Sequence, residues 1–413
     1  MGAAAPDQPI PVSDMKDLAR YANDIPIIEV VAGDGDGTFE VVWADGERAG
    51  FTHLWLRDNC ACDTCRHPQT LERVASFLTV PLDIEPLAMT VTDRGALAVS
   101  WPGAGDGDED TAAEPHPSVY DPGWLRTMAA RRTKVHEREF PIETWGALGP
   151  SEVPSTDHGA AMTTDEGLRD WLTQLTAYGI SLLTDGPAVE GEVLNVAERI
   201  SKNGIRPTAF GTVFEVFSKP HPNNAAYTPV RLMPHIDLPN YTRPPDYQFL
   251  YCVANEADGG ESTFVDGFKI ADVLRTTEPE HFEVLASTLV SFRFQDHEYD
   301  IRYRSPMIVL DPDGKVVEVR VNDWIRDTTP DVALADERAF YAAYRSLLEK
   351  VEDRRYQLRV KLGAGQMVAF DNRRVLHGRE SFDPNTGERF LQGLYVERDF
   401  VRSRLRVLDR SAV

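Results

Sequence analysis

The chain has 413 residues, with 43 Lys and Arg against 66 Asp and Glu, a formal net charge of −23 and 42% apolar residues. This length exceeds what one domain of the commonest size needs, so we expect two folded units. The acidic balance argues against nucleic-acid binding, no run approaches the roughly 18 apolar residues of a membrane helix, and four cysteines are too few for a disulfide framework.

The amino-terminal third predicts a flexible tail followed by a small β-rich domain. Residues 1–24 contain much Pro and Ala and no secretory signal, which predicts a mobile tail and a cytoplasmic protein. Apolar or alternating runs that end in turn residues predict four strands, at residues 25–33, 39–46, 49–59 and 96–103. The acidic, Gly-rich stretch 103–117 is predicted to be a solvated loop. The β-rich domain is therefore expected over residues 25–136.

The rest of the chain predicts a larger, mostly β domain over residues 161–413, after a linker at 137–160 that Pro and Gly punctuate. Apolar residues at helical spacing predict an amphipathic helix over 165–178, capped by Thr164 or Asp165. Further helices are expected at residues 191–202, 267–274 and 335–351. Strand-like runs lie between them, at residues 179–186, 246–254, 289–295, 307–322, 356–372 and 389–399. Many short strands with a few outer helices favour a double-sheet barrel.

A candidate metal site lies in this second domain. On a strand, His235 and Asp237 would present their side chains on one face. A second histidine, His377, follows an apolar strand, and two His with one carboxylate form the facial triad of non-haem Fe(II) oxygenases. A zinc hydrolase would carry HExxH on a helix, and the sequence has none. Arg389 offers a guanidinium fork for the distal carboxylate of 2-oxoglutarate, although an ion pair with Glu388 is the structural alternative.

A second candidate metal site lies in the β-rich domain. Cys60, Cys62 and Cys65 form a C-x-C-x-x-C run that can supply three thiolates to a tetrahedral Zn(II). The fourth ligand would be His67 or His116, and three free cysteines in a buried turn are the alternative. A closed site of this kind stabilises a fold rather than performing chemistry.

Four segments, PHIDLP, GGESTFVDGF, FDNRRVLHGRESF and ERFLQGLYVERD, resemble the taurine dioxygenase superfamily of Fe(II)/2-oxoglutarate-dependent oxygenases, and more closely its γ-butyrobetaine dioxygenase branch. The resemblance covers roughly residues 26 to 410. It implies a mainly β fold with flanking helices, in which a double-stranded β-helix (jelly-roll) catalytic core follows a small β-rich zinc-binding domain. The residues that it implies are the iron ligands His235, Asp237 and His377, the 2-oxoglutarate anchor Arg389 assisted by Ser262, and the zinc ligands Cys60, Cys62, Cys65 and His116.

The same resemblance implies a substrate pocket for a trimethylammonium group. This cation cannot donate hydrogen bonds, but it is attracted to the faces of aromatic rings. The implied cage rings are Phe210, Phe214, Tyr227 and Tyr395, and Asn224 and Asn322 would bind the acidic end of the substrate. Phe stands at two positions where better-known members have Tyr and Trp.

The implied reaction hydroxylates γ-butyrobetaine to L-carnitine with O2 and 2-oxoglutarate and releases succinate and CO2. The resemblance also implies that ascorbate supports the reaction and that the enzyme is a homodimer. One alternative is the same chemistry on another trimethylammonium compound, such as trimethyllysine or a betaine phosphonate, or on a free amino acid. The second alternative is a non-catalytic metal-binding protein with the same fold.

Overall fold

The computed structural model describes residues 25–70, 72–103, 114–133, 140–217, 228–328 and 332–411. The chain divides into two compact units, residues 1–137 and 138–413. Within the described ranges, no helix is both long enough and apolar enough to cross a membrane.

The first unit consists of two three-stranded antiparallel sheets and two helices. Its elements are β1 (Ile27–Ala32), β2 (Thr38–Trp43), β3 (Arg48–Thr52), α1 (His53–Asp58), β4 (Ala88–Val91), β5 (Leu97–Trp101), β6 (His116–Tyr120) and α2 (Pro122–Thr133). The sheets have the orders β1-β2-β3 and β4-β5-β6. Large aromatic side chains, among them Trp43, Phe51 and Trp101, are buried in one core that both sheets share.

The predicted strand over 49–59 is wrong in its second half. Strand β3 ends at Thr52, whose hydroxyl accepts a hydrogen bond from the Trp55 amide and caps helix α1. This N-cap bond satisfies one of the free amides of the first helical turn, and it overrides the strand preference of the apolar residues that follow. The predicted loop 103–117 also ends earlier than expected, because β6 begins at His116; residues 104–113 lie outside the described ranges.

The helices of the second unit are α3 (His158–Thr163), α4 (Asp165–Tyr178), α5 (Glu192–Ile200), α6 (Gly267–Thr277), α7 (Pro279–Ser287), α8 (Glu337–Glu352) and α9 (Arg398–Ser411). Helix α4 confirms the prediction from its apolar spacing, with Thr164 as its cap and a left-handed Gly179 at its end. Its apolar stripe, which includes Trp171 and Leu175, is buried in a core that it shares with α5 and α9. The predicted helices at 191–202, 267–274 and 335–351 correspond to α5, α6 and α8.

The strands of this unit are β7 (Ser155–Asp157), β8 (Ile180–Thr184), β9 (Val213–Val216), β10 (Leu232–His235), β11 (Tyr247–Asn255), β12 (Asp258–Gly259), β13 (Ser262–Asp266), β14 (Val290–Gln295), β15 (Asp300–Ser305), β16 (Ile308–Leu310), β17 (Val316–Val319), β18 (Gln357–Val360), β19 (Met367–Asp371), β20 (Val375–Arg379), β21 (Phe382–Asp383) and β22 (Arg389–Val396). Part of the segment expected to be a linker, residues 137–160, belongs to this framework, because β7 pairs in parallel with β8.

Two sheets carry the candidate site. One has six strands in the order β7-β8-β19-β11-β22-β9, and the other has four in the order β10-β20-β13-β18. Buried side chains from both sheets meet in one core, where the rings of Phe264 and Phe370 lie 5.4 Å apart. The core therefore occupies the space between the sheets, and side chains on their inner faces converge.

Candidate metal centre and substrate cavity

Strand pairing brings two histidines together. In the antiparallel pair of β10 and β20, His235 lies directly opposite His377, and their ring centroids are 4.4 Å apart. Asp237 follows two residues after His235. Its Oδ1 lies 3.5 Å from Nε2 of His235, and its Oδ2 lies 3.7 Å from Nε2 of His377. One ligand atom from each side chain can be chosen so that all three lie within 4.8 Å of one another, as a single metal ion requires.

The backbone around Asp237 is fixed by a buried amide. Asn372 accepts a hydrogen bond from the Asp237 amide at 2.7 Å and donates to the Asp237 carbonyl at 3.1 Å. Leu238 then adopts a positive φ of 56°, which turns the chain immediately after the carboxylate. A non-glycine residue in this conformation is held there by its surroundings. The carboxylate is thus oriented before any ligand binds.

The protonation states suit metal binding. Nδ1 of His235 donates to the Met233 carbonyl at 2.8 Å, which leaves Nε2 with its lone pair facing Asp237. Burial lowers the pKa of His377 to about 3, so its ring is neutral at physiological pH. Burial acts to raise the pKa of Asp237, but the neighbouring rings of His377 and His235 and the hydrogen bond from Tyr395 bring it below the ordinary value. Neutral imidazoles and an ionised carboxylate are the forms that bind metals.

A cavity of about 390 Å³ opens beside the three side chains. Its lining includes predicted residues from all parts of the candidate site: His235, Asp237, His377, Ser262, Arg389, Phe210, Phe214, Asn322 and Tyr395. The sequence-predicted Asn224 and Tyr227 lie outside the described residues.

Two buried arginines occupy this cavity. Nε and Nη1 of Arg389 are buried without a hydrogen-bond partner among the residues that the structure describes, and its guanidinium lies 5.3 Å from the Phe382 ring. Burial lowers the pKa of Arg389 to about 10 and that of Arg379 to about 9, so both remain charged near neutral pH. Arg379 donates to the carbonyls of Thr228 and Val230 at 2.5 and 2.9 Å. Arg389 therefore has two buried donors, Nε and Nη1, available to an anionic ligand.

The aromatic side chains form one wall of the cavity. The rings of Phe214 and Tyr395 lie 5.3 Å apart, and Phe210 lies 5.7 Å from Phe294, which the sequence did not indicate. Gly393 makes room for this wall, since a Cβ there would lie 2.5 Å from two ring atoms of Phe214. The Tyr395 hydroxyl also donates a 2.7 Å hydrogen bond to Oδ2 of Asp237. Tyr395 therefore contacts both the aromatic wall and the metal-binding carboxylate.

Asn322, an expected contact of the substrate, lines the cavity, and its side-chain amide also binds backbone groups. Its amide nitrogen donates to the Ile236 carbonyl at 3.0 Å, and its oxygen accepts from the Trp324 backbone amide at 3.1 Å. Both ends of the side chain thus hold the loop that carries Trp324. That tryptophan lines the cavity with 44% of its surface exposed, and its ring lies 4.5 Å from the His235 ring at an angle of 88°. An exposed aromatic beside the triad is a candidate that no local sequence pattern indicated.

The first unit holds a second cluster of metal-binding side chains. Nε2 of His116 lies 3.3, 3.4 and 3.5 Å from the sulfur atoms of Cys60, Cys62 and Cys65. His67 is not in this cluster, and its Nδ1 accepts backbone hydrogen bonds from residues 69 and 70 instead.

The elements around this cluster explain its assembly. The chain leaves α1 at Asp58 directly before the cysteines, and β6 places His116 opposite Trp101 of β5. Burial raises the pKa of the Cys60 thiol to about 12. A metal ion stabilises thiolates in such surroundings. Four ligand atoms at this separation fit a tetrahedral ion.

Comparisons with known proteins cover both units. The family of the taurine catabolism dioxygenase TauD and of TfdA matches residues 146–395, and the N-terminal family of gamma-butyrobetaine hydroxylase-like proteins matches residues 32–108. The chain is 41% identical to the gamma-butyrobetaine dioxygenase of Pseudomonas sp. (strain AK-1), over 90% of this chain and 93% of that protein. It is 32% identical to the human gamma-butyrobetaine dioxygenase, over 91% and 95% of the two chains. It is also 31% identical to the mitochondrial trimethyllysine dioxygenase of Mus musculus, over 88% and 83%.

Proposed function

Because the chain belongs to the TauD and TfdA family of Fe(II)/2-oxoglutarate-dependent dioxygenases, we propose that it hydroxylates γ-butyrobetaine to L-carnitine, with O2 and 2-oxoglutarate consumed and succinate and CO2 released. The observation that carries this proposal is a single cavity that joins three metal-binding side chains, a buried guanidinium with unpartnered donors and a wall of aromatic rings. Each of these parts fits one component of the reaction.

The metal centre fits Fe(II). His235, Asp237 and His377 would hold the ion, since two imidazoles and a carboxylate are the ligand set of the non-haem iron facial triad. Bound Fe(II) supplies the activation of dioxygen that couples decarboxylation of 2-oxoglutarate to hydroxylation of the substrate. The share of the protein is to orient the ligands, as the Met233 carbonyl does for His235 and the Asn372 amide does for the Asp237 backbone, and to exclude bulk water from the cavity.

The cosubstrate fits the arginine end of the cavity. The free donors of Arg389 would bind the distal carboxylate of 2-oxoglutarate through charge-assisted hydrogen bonds. The nearby Ser262, which is buried and lines the same cavity, would add a hydroxyl donor. In this proposal Arg379, held by two backbone carbonyls, keeps the local potential positive without direct contact.

The aromatic wall fits the cationic end of γ-butyrobetaine. A quaternary ammonium group is attracted by ring faces, and Phe210, Phe214 and Tyr395 line the cavity beside the metal-binding carboxylate. Trp324 adds a ring of the type that gives the strongest cation–π attraction. This placement supports a trimethylammonium substrate in spite of the two phenylalanines. Tyr227, Asn224 and Asn322 remain predicted contacts of the substrate.

The six-stranded and four-stranded sheets that share one core would be the two halves of a double-stranded β-helix (jelly-roll). In the first unit, Cys60, Cys62, Cys65 and His116 would hold a structural Zn(II), which the spacing of their ligand atoms supports. A small domain over residues 25–136, a homodimer and a cytoplasmic location are further predictions.

A turnover panel tests the proposed function. Purified protein with Fe(II), 2-oxoglutarate and ascorbate is incubated with γ-butyrobetaine, trimethyllysine, a betaine phosphonate or a free amino acid, and succinate is measured with and without each substrate. We expect γ-butyrobetaine to give the highest kcat/KM and L-carnitine as product. Faster turnover of trimethyllysine would replace this substrate assignment. Absence of succinate with the whole panel, in protein loaded with iron, would refute the proposal.

A further inference from the structure

Gln248 is a buried amide at the metal centre to which the proposed reaction assigns no role. It lies on β11, directly opposite Phe370 of β19 and Tyr395 of β22. Opposed residues in a sheet point to the same face, so these three side chains form a row. One neighbour, Phe370, lies 4.8 Å from the His377 ring, and the other, Tyr395, hydrogen-bonds Asp237. Gln248 thus lies between two residues that contact the metal-binding side chains.

This amide is both buried and incompletely hydrogen-bonded. Gln248 is 2% exposed and lines the cavity, and its Oε1 has no hydrogen-bond partner among the described residues. A buried polar group without a partner opposes folding, and an apolar side chain of the same size would be more favourable in an aromatic row. Rotation of the terminal bond by half a turn exchanges the oxygen and the NH2 group, so a ligand can find either a donor or an acceptor there.

We propose that the Gln248 amide is a ligand-binding group that donates to a carboxylate held at the metal centre. This inference rests on the proposed function, in which the polar groups of the ligands are mainly carboxylates: two on 2-oxoglutarate and one on the substrate. The quaternary ammonium group cannot accept or donate a hydrogen bond. An amide NH2 at this place therefore has the keto-acid carboxylate of 2-oxoglutarate or the substrate carboxylate as its partner.

Other groups in the cavity are less suited to this task. Arg389 lies six residues from Tyr395 on β22, about 20 Å along an extended strand, and so serves the opposite end of the cavity. The amide of Asn322 is engaged at both ends by backbone groups. Asn240 already donates through its nitrogen to the Ile301 carbonyl. Among the cavity amides within the described ranges, Gln248 is the one whose side chain no backbone group holds.

Three variants separate a donor from an acceptor and from a packing role. Gln248→Met keeps the length and volume but removes the amide, and Gln248→Glu keeps an acceptor and adds a negative charge. The matched control is Gln392→Met on the neighbouring strand, because Gln392 is also buried but accepts a hydrogen bond from the Gly191 amide. For each variant, KM is determined separately for γ-butyrobetaine and for the cosubstrate. The thermal shift that each ligand gives is measured separately, with Mn(II) in place of iron.

We expect Gln248→Met to raise one of these two KM values about 10-fold, as loss of a hydrogen bond to a charged group does, and to reduce the thermal shift from the same ligand. Gln248→Glu should raise that KM further, because it places a like charge beside the carboxylate. A change confined to 2-oxoglutarate identifies the keto-acid carboxylate, and a change confined to γ-butyrobetaine identifies the substrate. Gln392→Met should lower the melting temperature without changing either KM.

Two results would overturn this role. Unchanged KM values and thermal shifts in both Gln248 variants would make the amide a packing residue, as would changes no larger than those of Gln392→Met. If Gln248→Glu binds both ligands with wild-type affinity and Gln248→Met loses affinity for one of them, the Gln248 amide acts as a hydrogen-bond acceptor and not as a donor. If Gln248→Met does not fold, Gln248→Leu replaces it. Failure of the proposed function can be told apart from failure of the Gln248 role. In the first case the wild-type protein gives no substrate-dependent succinate, but the thermal shift from 2-oxoglutarate can still be compared between the wild type and the Gln248 variants.

Discussion

The hydroxyl of Tyr395 can be removed without removing its ring. Tyr395→Phe deletes the 2.7 Å hydrogen bond to Asp237 and leaves the aromatic contact with Phe214 in place. A hydrogen bond to an ionised group contributes about 1.5–3 kcal/mol. Because 24% of the Asp237 side chain is exposed, water replaces part of the lost bond, and we take the lower end, about 1.5 kcal/mol. This corresponds to about a 10-fold weaker affinity of the triad for Fe(II).

The assay is an anaerobic competition between the protein and a chromogenic chelator for Fe(II), with the KM for γ-butyrobetaine measured at saturating iron. We expect Tyr395→Phe to weaken the metal affinity and to leave this KM near the wild-type value. Tyr395→Leu, which also removes the ring, should change both. Unaltered metal affinity in Tyr395→Phe would refute the reasoning, as would a rise in KM equal to that of the Leu variant.

Four further substitutions test the other parts of the molecule. Cys62→Ser should abolish bound zinc, measured by elemental analysis, and lower the melting temperature of the first unit; a full zinc equivalent in this variant would contradict the proposed ligand set. Arg389→Met should raise the KM for 2-oxoglutarate about 100-fold, because it removes a charge-assisted hydrogen-bonded pair. Trp324→Leu should raise only the KM for γ-butyrobetaine, by about 5-fold, because it removes a cation–π contact. Burial raises the pKa of the Asp246 carboxyl group, but Arg398 and Arg373 lower it to about 2. The ionised carboxylate therefore stabilises the fold at pH values above its ordinary pKa of 3.8, and this stabilisation is lost as the pH falls toward 2. Asp246→Asn should therefore reduce the free energy of unfolding by about 3 kcal/mol at pH 7 in urea, and by less at pH 3; an equal loss at both pH values would exclude this ion pairing as the cause.

Local patterns predicted some, but not all, of the elements whose residues interact with near neighbours in the chain. Helix α4 was predicted because its apolar stripe and its Thr164 cap lie within fifteen residues. Helix α1 was missed because a single side-chain bond from Thr52 decides between strand and helix. Helix α9 was not predicted, although Val401, Leu405 and Leu408 are spaced as the buried face of a helix. The spacing of these three positions was therefore a local signal for α9.

In the candidate site, too, some residues could be predicted from the sequence and others could not. Residue type and order predicted a set that includes His235, Asp237 and His377, and the structure brings these three together. The family resemblance gave Asn322 to the substrate, and this contact stays a prediction; the structure adds that the Asn322 amide binds backbone groups. Gln248 and Trp324 carried no local signal, because their position at the site depends on strand register and on a loop fixed by distant contacts. Such pairings between remote segments cannot be deduced from spacing along one chain.

The pairing of β10 with β20 has a consequence for how this enzyme can vary. Side chains on a strand alternate with a period of two, so a slip of one residue in either strand would turn His377 toward the outer face of its sheet and dismantle the triad. The long segment between Leu238 and Asp371 carries no such restriction at its loops. An insertion in the loop that carries Trp324 would change one wall of the cavity while His235, Asp237 and His377 keep their positions, so substrate range can vary there without loss of the triad.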